Sequence, residues 1–186
     1  SSANSPPIAS DDSLTVAEDS LATTVDVLAN DSTAPDTDET LRVTAVTQPD
    51  NGTATFTPTR VSFTPVPDFH GTTSFTYTVS DGNGGEATAT VNVTVTPVND
   101  EPTAADDAYS VVIDSPARVL DVLANDTFAP DTGETLTITA VTQPAGGTVT
   151  FTATNVSFTP ATGFSETTTF TYTLSDGSGG GDTATV

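Results

Sequence analysis

The chain has 186 residues, enough for one or two domains, and carries 25 acids against three basic residues, a formal charge of −22. So acidic a surface argues against binding nucleic acid or anionic lipid, both of which need basic patches. Cysteine is absent, which excludes disulfides, thiolate nucleophiles and zinc–sulfur centres, and the lack of lysine excludes Schiff-base chemistry.

In chain order, the sequence predicts seven strands in its first half, near 13–17, 21–28, 41–47, 53–57, 60–64, 72–80 and 87–96. The pattern is plainest in FTYTV (75–79) and ATATVNVTV (87–95), where apolar residues alternate with Thr or Asn. That period of two turns one face to a core and the other to water. Threonine suits the wet face, being β-branched with a hydrated hydroxyl. Turn residues separate the strands: AED, NDSTAPDTDE, QPDNG, PTR, PVPDFHG and SDGNGG. No stretch keeps helical spacing over several turns. No apolar run approaches the ~20 residues of a membrane span, so membrane insertion is not expected. No signal peptide is visible, which reads as a mature region or a fragment.

The second half repeats the first. DVLANDS (26–32) returns as DVLANDT (121–127), and LRVTAVTQP (41–49) as LTITAVTQP (136–144). VSFTP (61–65) returns at 156–160, and FTYTVSDGNGG (75–85) as FTYTLSDGSGG (170–180). The offset is 95 residues throughout, as from Asp26 to Asp121. Solenoid repeats run ~20–50 residues, whereas ~100 residues make a whole immunoglobulin-like domain. The fold class expected is therefore all-β: two tandem immunoglobulin-like Greek-key sandwiches, at 1–98 and 99–186. The same seven strands shifted by 95 form the second, whose last strand stops short at ATV (184–186). Either the chain is cut short there or another chain completes that strand.

Together, DVLANDT, LTITAVTQP, FTYTVSDGNGG and the closing PVND-x-P resemble the tandem, ninety-five-residue cadherin-like or bacterial immunoglobulin-like repeats of large secreted adhesins, of repeats-in-toxin and biofilm-matrix type. The resemblance covers essentially the whole chain. It implies a secreted or cell-surface spacer or adhesive module stiffened by Ca2+. Its partners would be neighbouring repeats of the same polypeptide or same-type subunits. The family often places an acid-Gly-acid run after DVLANDT; here APDTDET (34–40) and APDTGET (129–135) stand instead.

The acids themselves point to a hard cation. Calcium takes six to eight oxygens, gathered by loops, and this sequence concentrates its carboxylates in loops. One end of the second domain should gather Asn99, Asp100, Asp106, Asp107, Asp126, Asp131 and Asp176, with Asn125 and Glu134. The first domain should offer Glu18 and Asp19 in its first turn, with Asp68, across the PVNDEP linker. Two carboxylates ~4 Å apart repel by about 1 kcal/mol in bulk water and several times that near a protein surface; a divalent ion reverses the sign. The Asn-Asp pair in PVND-x-P resembles the cadherin linker, where such a pair serves this role. Simpler readings stand beside ligation: Asp31 and Asp126 as Asx turns, Asp81 and Asp176 as turn formers, Asp26 and Asp121 facing outward from strands. Where the second domain has Asp100 and Glu101, the first has Ser5 and Pro6, so a site there should be weaker.

No catalytic residue is assigned. His70 is the sole histidine and its repeat position holds Ser165. There is no GxSxG elbow, and GNGG and GSGGG lie between strands with no following helix or lysine. A glycosidase carboxylate pair is not excluded by composition, but two spacer-like units lack a deep-pocket insertion. Tyr77 and Tyr172 read as core or tyrosine-corner residues. Two alternatives remain beside the calcium-stiffened module: a polysaccharide-binding module, and a filament subunit assembled by strand addition at the short last strand.

Overall fold

A computed structural model describes residues 3–186; Ser1 and Ser2, counted in the first expected domain, lie outside the described residues. The chain divides into two compact units, 1–98 and 99–186.

In unit 1 the alternating sequences become β1 (Asp12–Ala17), β2 (Thr23–Val25), β3 (Arg42–Val46), β4 (Gly52–Thr57), β5 (Arg60–Pro65), β6 (Gly71–Ser80) and β7 (Glu86–Thr96). Two sheets form, ordered β1-β7-β6-β3 and β2-β5-β4. The expected second strand is shorter than its pattern. The chain leaves the sheet at Asp26 and makes a 3-10 turn over Val27–Asn30, which drives Val27 fully inside. The β6–β7 hairpin pairs from Ser80↔Glu86 down to Gly71↔Val95, and β1 runs parallel to β7 from Asp12↔Val91 to Ala17↔Thr96.

Unit 2 repeats the plan with β8 (Arg118–Leu120), β9 (Thr137–Val141), β10 (Gly147–Phe151), β11 (Val156–Pro160), β12 (Thr171–Ser175) and β13 (Gly181–Thr185). Its sheets are ordered β13-β12-β9 and β10-β11-β8. One expected strand does not form. The counterpart of β1, near 108–112, is irregular. β1 is held by residues 91–96, whose counterparts begin at Val186, the last residue of the sequence. The start of the segment is tied to β13 through the Asp107 N–H to Thr185 O at 2.9 Å, and further along the Tyr109 hydroxyl donates to Asp121 O at 2.8 Å and Arg118 donates to Ser110 O.

Both cores are built from the apolar phase of these strands. Phe63 stacks on Phe75 at 6.3 Å in unit 1, and Phe158 on Phe170 at 6.2 Å in unit 2. Around the first pair sit Val43, Val61, Val79, Val91, Val93 and Val95, all at most 3% exposed. Burying each such side chain contributes about 1.5–3 kcal/mol. The opposite phase carries threonine hydroxyl pairs, among them Thr47–Thr76 and Thr142–Thr171 at 3.1 Å. Gln48 clasps the start of β4, donating to Ala54 O at 2.8 Å and accepting from Ala54 N–H at 3.0 Å. Gln143 does the same to Val149. Among the described residues, no helix is long and apolar enough to cross a membrane.

Candidate metal-binding loops

The glycine-rich turn between the last two strands sets the geometry at one end of unit 2. Gly177 and Gly179 take φ of 85° and 118°, conformations open to glycine. This curls the chain around Asp176, whose Oδ1 accepts the N–H groups of Ser178, Gly179 and Gly180 at 2.8, 3.1 and 3.0 Å. Its Oδ2 accepts from the Asn99 side-chain amide at 3.0 Å. Asp176 is only 3% exposed. The Asn99 bond first, and then the turn N–H groups, hold its carboxyl below the usual carboxylate range. Gly180 admits this arrangement because a Cβ there would collide with Asp176 Oδ2.

One residue along, the Asp100 N–H donates to Asp131 Oδ2 at 2.7 Å. Asn99, Asp100, Asp131 and Asp176 are thus tied by hydrogen bonds to the linker end of unit 2. Glu134, on the same loop as Asp131, has a buried Oε2 with no hydrogen-bond partner. Its repeat counterpart Glu39 has the same orphaned Oε2, while its Oε1 accepts from Asn83 at 2.9 Å. A buried carboxylate oxygen without a donor is the kind of atom a cation satisfies.

Asp107 and Asp126 form a second group around the Tyr172 hydroxyl, with Asp106 next to them in sequence. The Tyr172 hydroxyl reaches Asp126 Oδ2 at 2.8 Å and Val122 O at 3.0 Å, while Asp126 Oδ1 accepts the Ala105 N–H at 2.7 Å. Asp106 Oδ1 accepts the Thr185 N–H at 2.8 Å. Burial, then the charges of Asp126, Asp106 and Asp121, raise the Asp107 carboxyl, with Tyr172 pulling the other way. Burial also raises the Tyr172 hydroxyl, helped by Asp126, so it stays a donor. Unit 1 builds the same corner from Tyr77, Asp31, Val27 O and Ser10 O. Asp26 and Asp121 are exposed as expected, but each lies just past the end of its strand rather than inside it.

Glu18 and Asp19 lie at the first turn of unit 1. Glu18 is 4% exposed; it accepts the Val98 N–H on Oε1 and faces His70 Nδ1 at 3.3 Å on Oε2. Asp19, at φ 59°, accepts the Asp68 N–H at 3.0 Å. His70 therefore sits beside a buried carboxylate.

The candidate ligands are carboxylate and amide oxygens in loops, with neither sulfur nor imidazole among them, a donor set of the kind hard cations take. The chain supplies little positive charge to compete; Arg60 meets Asp26 at 3.9 Å with both side chains about half exposed.

The bacterial Ig domain pattern matches residues 4–94 and again 99–186. No curated protein sequence matches the chain. Among solved structures it is similar to mouse cadherin-23 domains EC22–24, at 18% identity and TM-score 0.54, covering 97% of this chain and 62% of that one. It is also similar to protocadherin gamma B2 extracellular cadherin domains 3–6, at 12% identity and TM-score 0.56, covering 97% and 46%. An endo-fucoidan hydrolase of glycoside hydrolase family 107 matches at 21% identity and TM-score 0.36, covering 97% of this chain and 28% of its own. The chain thus spans between about a quarter and two thirds of these structures. The cadherin likenesses show the sandwich fold, and the two pattern matches, which together span nearly the whole chain, show the family: this chain belongs to the bacterial Ig domain family, in two tandem copies.

Proposed function

We propose that the chain is a non-enzymatic, calcium-stiffened structural and adhesive module of a bacterial surface or extracellular matrix protein, exported from the cell. Its neighbours would be further repeats of the same polypeptide or subunits of the same type. The reading rests on one observation: the linker end of unit 2 ties Asn99, Asp100, Asp131 and Asp176 together, with an orphaned Glu134 oxygen on the same loop as Asp131. In a chain of charge −22, a divalent cation there would offset repulsion that otherwise opposes folding. Asp100, Asp131 and Glu134 are the best candidates for direct ligands, since Asp176 already spends Oδ1 on three N–H groups. Asp126, which accepts from the Tyr172 hydroxyl, is better read as a buttress of the tyrosine corner. Polysaccharide binding has thinner support, because exposed aromatics such as Phe56, Tyr109 and Phe151 are scattered through the sequence.

The test is thermal unfolding and small-angle scattering with calcium and with chelator. Calcium should raise the melting temperature and narrow the distribution of end-to-end lengths. D131N should abolish most of the gain. Identical melting and scattering in the two conditions would refute the calcium reading.

A further inference from the structure

β4 and β10 are outer strands of their sheets, in the orders β2-β5-β4 and β10-β11-β8. Backbone groups along such a strand point alternately to the neighbour and away from it. The Val66 N–H meets Asn51 O at 3.2 Å, and the Ala161 N–H meets Gly146 O at 2.9 Å. In that alternation Gly52, Ala54 and Phe56 turn their N–H and C=O groups outward, as do Gly147, Val149 and Phe151. An edge of this kind is a template for another strand, and proteins commonly blunt it with charge, proline or a bulge. β4 and β10 have none of these. Gly52–Thr57 and Gly147–Phe151 hold no charged residue and no proline, and both pair without a register shift. Around them, 51–67 carries Arg60 alone and 135–165 carries no charged side chain, in a chain of charge −22. The acidity that holds copies of the chain apart is thinnest where the backbone is most open to pairing.

The middle of each edge is occupied instead by a side-chain amide. Gln48 donates to Ala54 O at 2.8 Å and accepts the Ala54 N–H at 3.0 Å. Gln143 does so to Val149 at 2.7 and 2.8 Å. One donor and one acceptor on a planar amide reproduce what a residue of an added strand would offer. Both glutamines are themselves exposed, so solvent lies beyond them. The end of each edge past the phenylalanine is met by backbone: the Val43 N–H donates to Pro58 O and the Ile138 N–H to Ala153 O, both at 2.9 Å. Phe56 and Phe151 lie between the amide and that contact, each 43% exposed.

We propose that Gln48 and Gln143 are edge guards, and that the surface each covers is a self-pairing site for a second copy of this chain. Two copies of β10 related by a two-fold axis at Val149 pair antiparallel, with Gly147 opposite Phe151 and Thr148 opposite Thr150. Every residue then meets one of the same face, and a phenylalanine covers each glycine across the pair. In β4 the axis falls at Ala54, with Gly52 opposite Phe56. The glutamine amide stands on that axis, so it blocks the contact at its centre.

The experiment uses the whole chain in chelator and about 1 M sodium chloride, which shortens the Debye length to ~3 Å and removes long-range repulsion between copies. Sedimentation and amide exchange at Val149 are followed against protein concentration for the parent chain, Q143A, and Q143A combined with T148E and T150E. The parent should stay monomeric. Q143A should exchange faster at Val149 when dilute, and regain protection as it dimerises at concentrations about tenfold or more below any at which the parent does. The added glutamates face one another across the pair and should restore the monomer. A Q143A chain that exchanges faster but stays monomeric over the same range makes the glutamine a brace of its own hairpin and overturns the proposal. So does association that survives the two glutamates, which places the contact elsewhere. Q48A, with T53E and T55E as its control, carries the same test in unit 1 if unit 2 does not fold without Gln143.

Discussion

The two units share a sequence plan and differ in how completely it is closed. In unit 1 a β7 of 11 residues pairs with β6 along its whole length and carries β1 on its other side. In unit 2 a β13 of five residues pairs with β12 alone, and the segment beside it stays out of the sheet. The difference shows that the first strand of this fold is not made by its own propensity. Leu14 and Val16 in one unit and Tyr109 and Val111 in the other have comparable β character, yet only the former pair is laddered. A strand at this edge needs a partner to pay back its ordering entropy.

The largest test of that contrast is in the cores. Phe63→Ala should cost unit 1 about 3–5 kcal/mol, as expected for emptying a fully buried aromatic site. Phe158→Ala should cost unit 2 less, because Phe158 lines an open groove and is 6% exposed where Phe63 is fully buried. Two resolved melting transitions would show it; equal losses would mean the groove does not loosen the core. Next come the tyrosine corners, where closure should not matter. Tyr77→Phe and Tyr172→Phe should each cost about 1–3 kcal/mol, since each leaves backbone and carboxylate acceptors without their donor. Denaturant melts of the two variants should shift their own transitions similarly.

Acidity divides carboxylates within one unit. Asp107 is raised, chiefly by burial, so the folded state binds its proton more tightly than the unfolded chain does. Its ionisation therefore removes stability as the pH climbs above the ordinary carboxylate value. Asp176 is lowered, chiefly by Asn99, so its contribution is present above that value and lost as the pH falls through the folded pKa. In chelator, D107N should gain on the parent chain at pH 7 relative to pH 3, and D176N should do the reverse. Melting temperatures at the two pH values check both signs. The smallest effect concerns Asp38, at φ 66° where unit 2 has Gly133 at 78°. Asp38→Gly should change unit 1 stability by no more than a few tenths of a kcal/mol, because relief of the left-handed strain is offset by glycine's greater chain entropy. A shift of several degrees would contradict that balance.

Much of the fold was legible from strand phase. Period-two runs located β3 to β7 within a residue or so, because each has one buried and one wet face. What escaped was non-local. Nothing in AYSVVI (108–113) announces that its pairing partner begins at Val186. The exit of β2 at Asp26 depends on Tyr77, 51 residues later, reaching back to Val27 O. The acids were legible as a class and less so as individuals. DVLAND reads alike whether its last Asp binds an ion or props a tyrosine; what the sequence does not show is that Asp126 accepts from the Tyr172 hydroxyl and the Ala105 N–H. Glu134 gave a weaker signal than its neighbours, since a buried oxygen without a donor is a property of packing.

The glutamine clasp has a consequence for how these units can vary. Gln48 and Gln143 join both hydrogen-bonding groups of one residue to a side chain six positions earlier. The clasp closes the hairpin from within, so the intervening peptide need not be cohesive itself. Asp50-Asn51 in one unit is Ala145-Gly146 in the other. A segment grafted into that short bend would have to keep the bonds that Asn51 O and Gly146 O accept from the Val66 and Ala161 N–H groups.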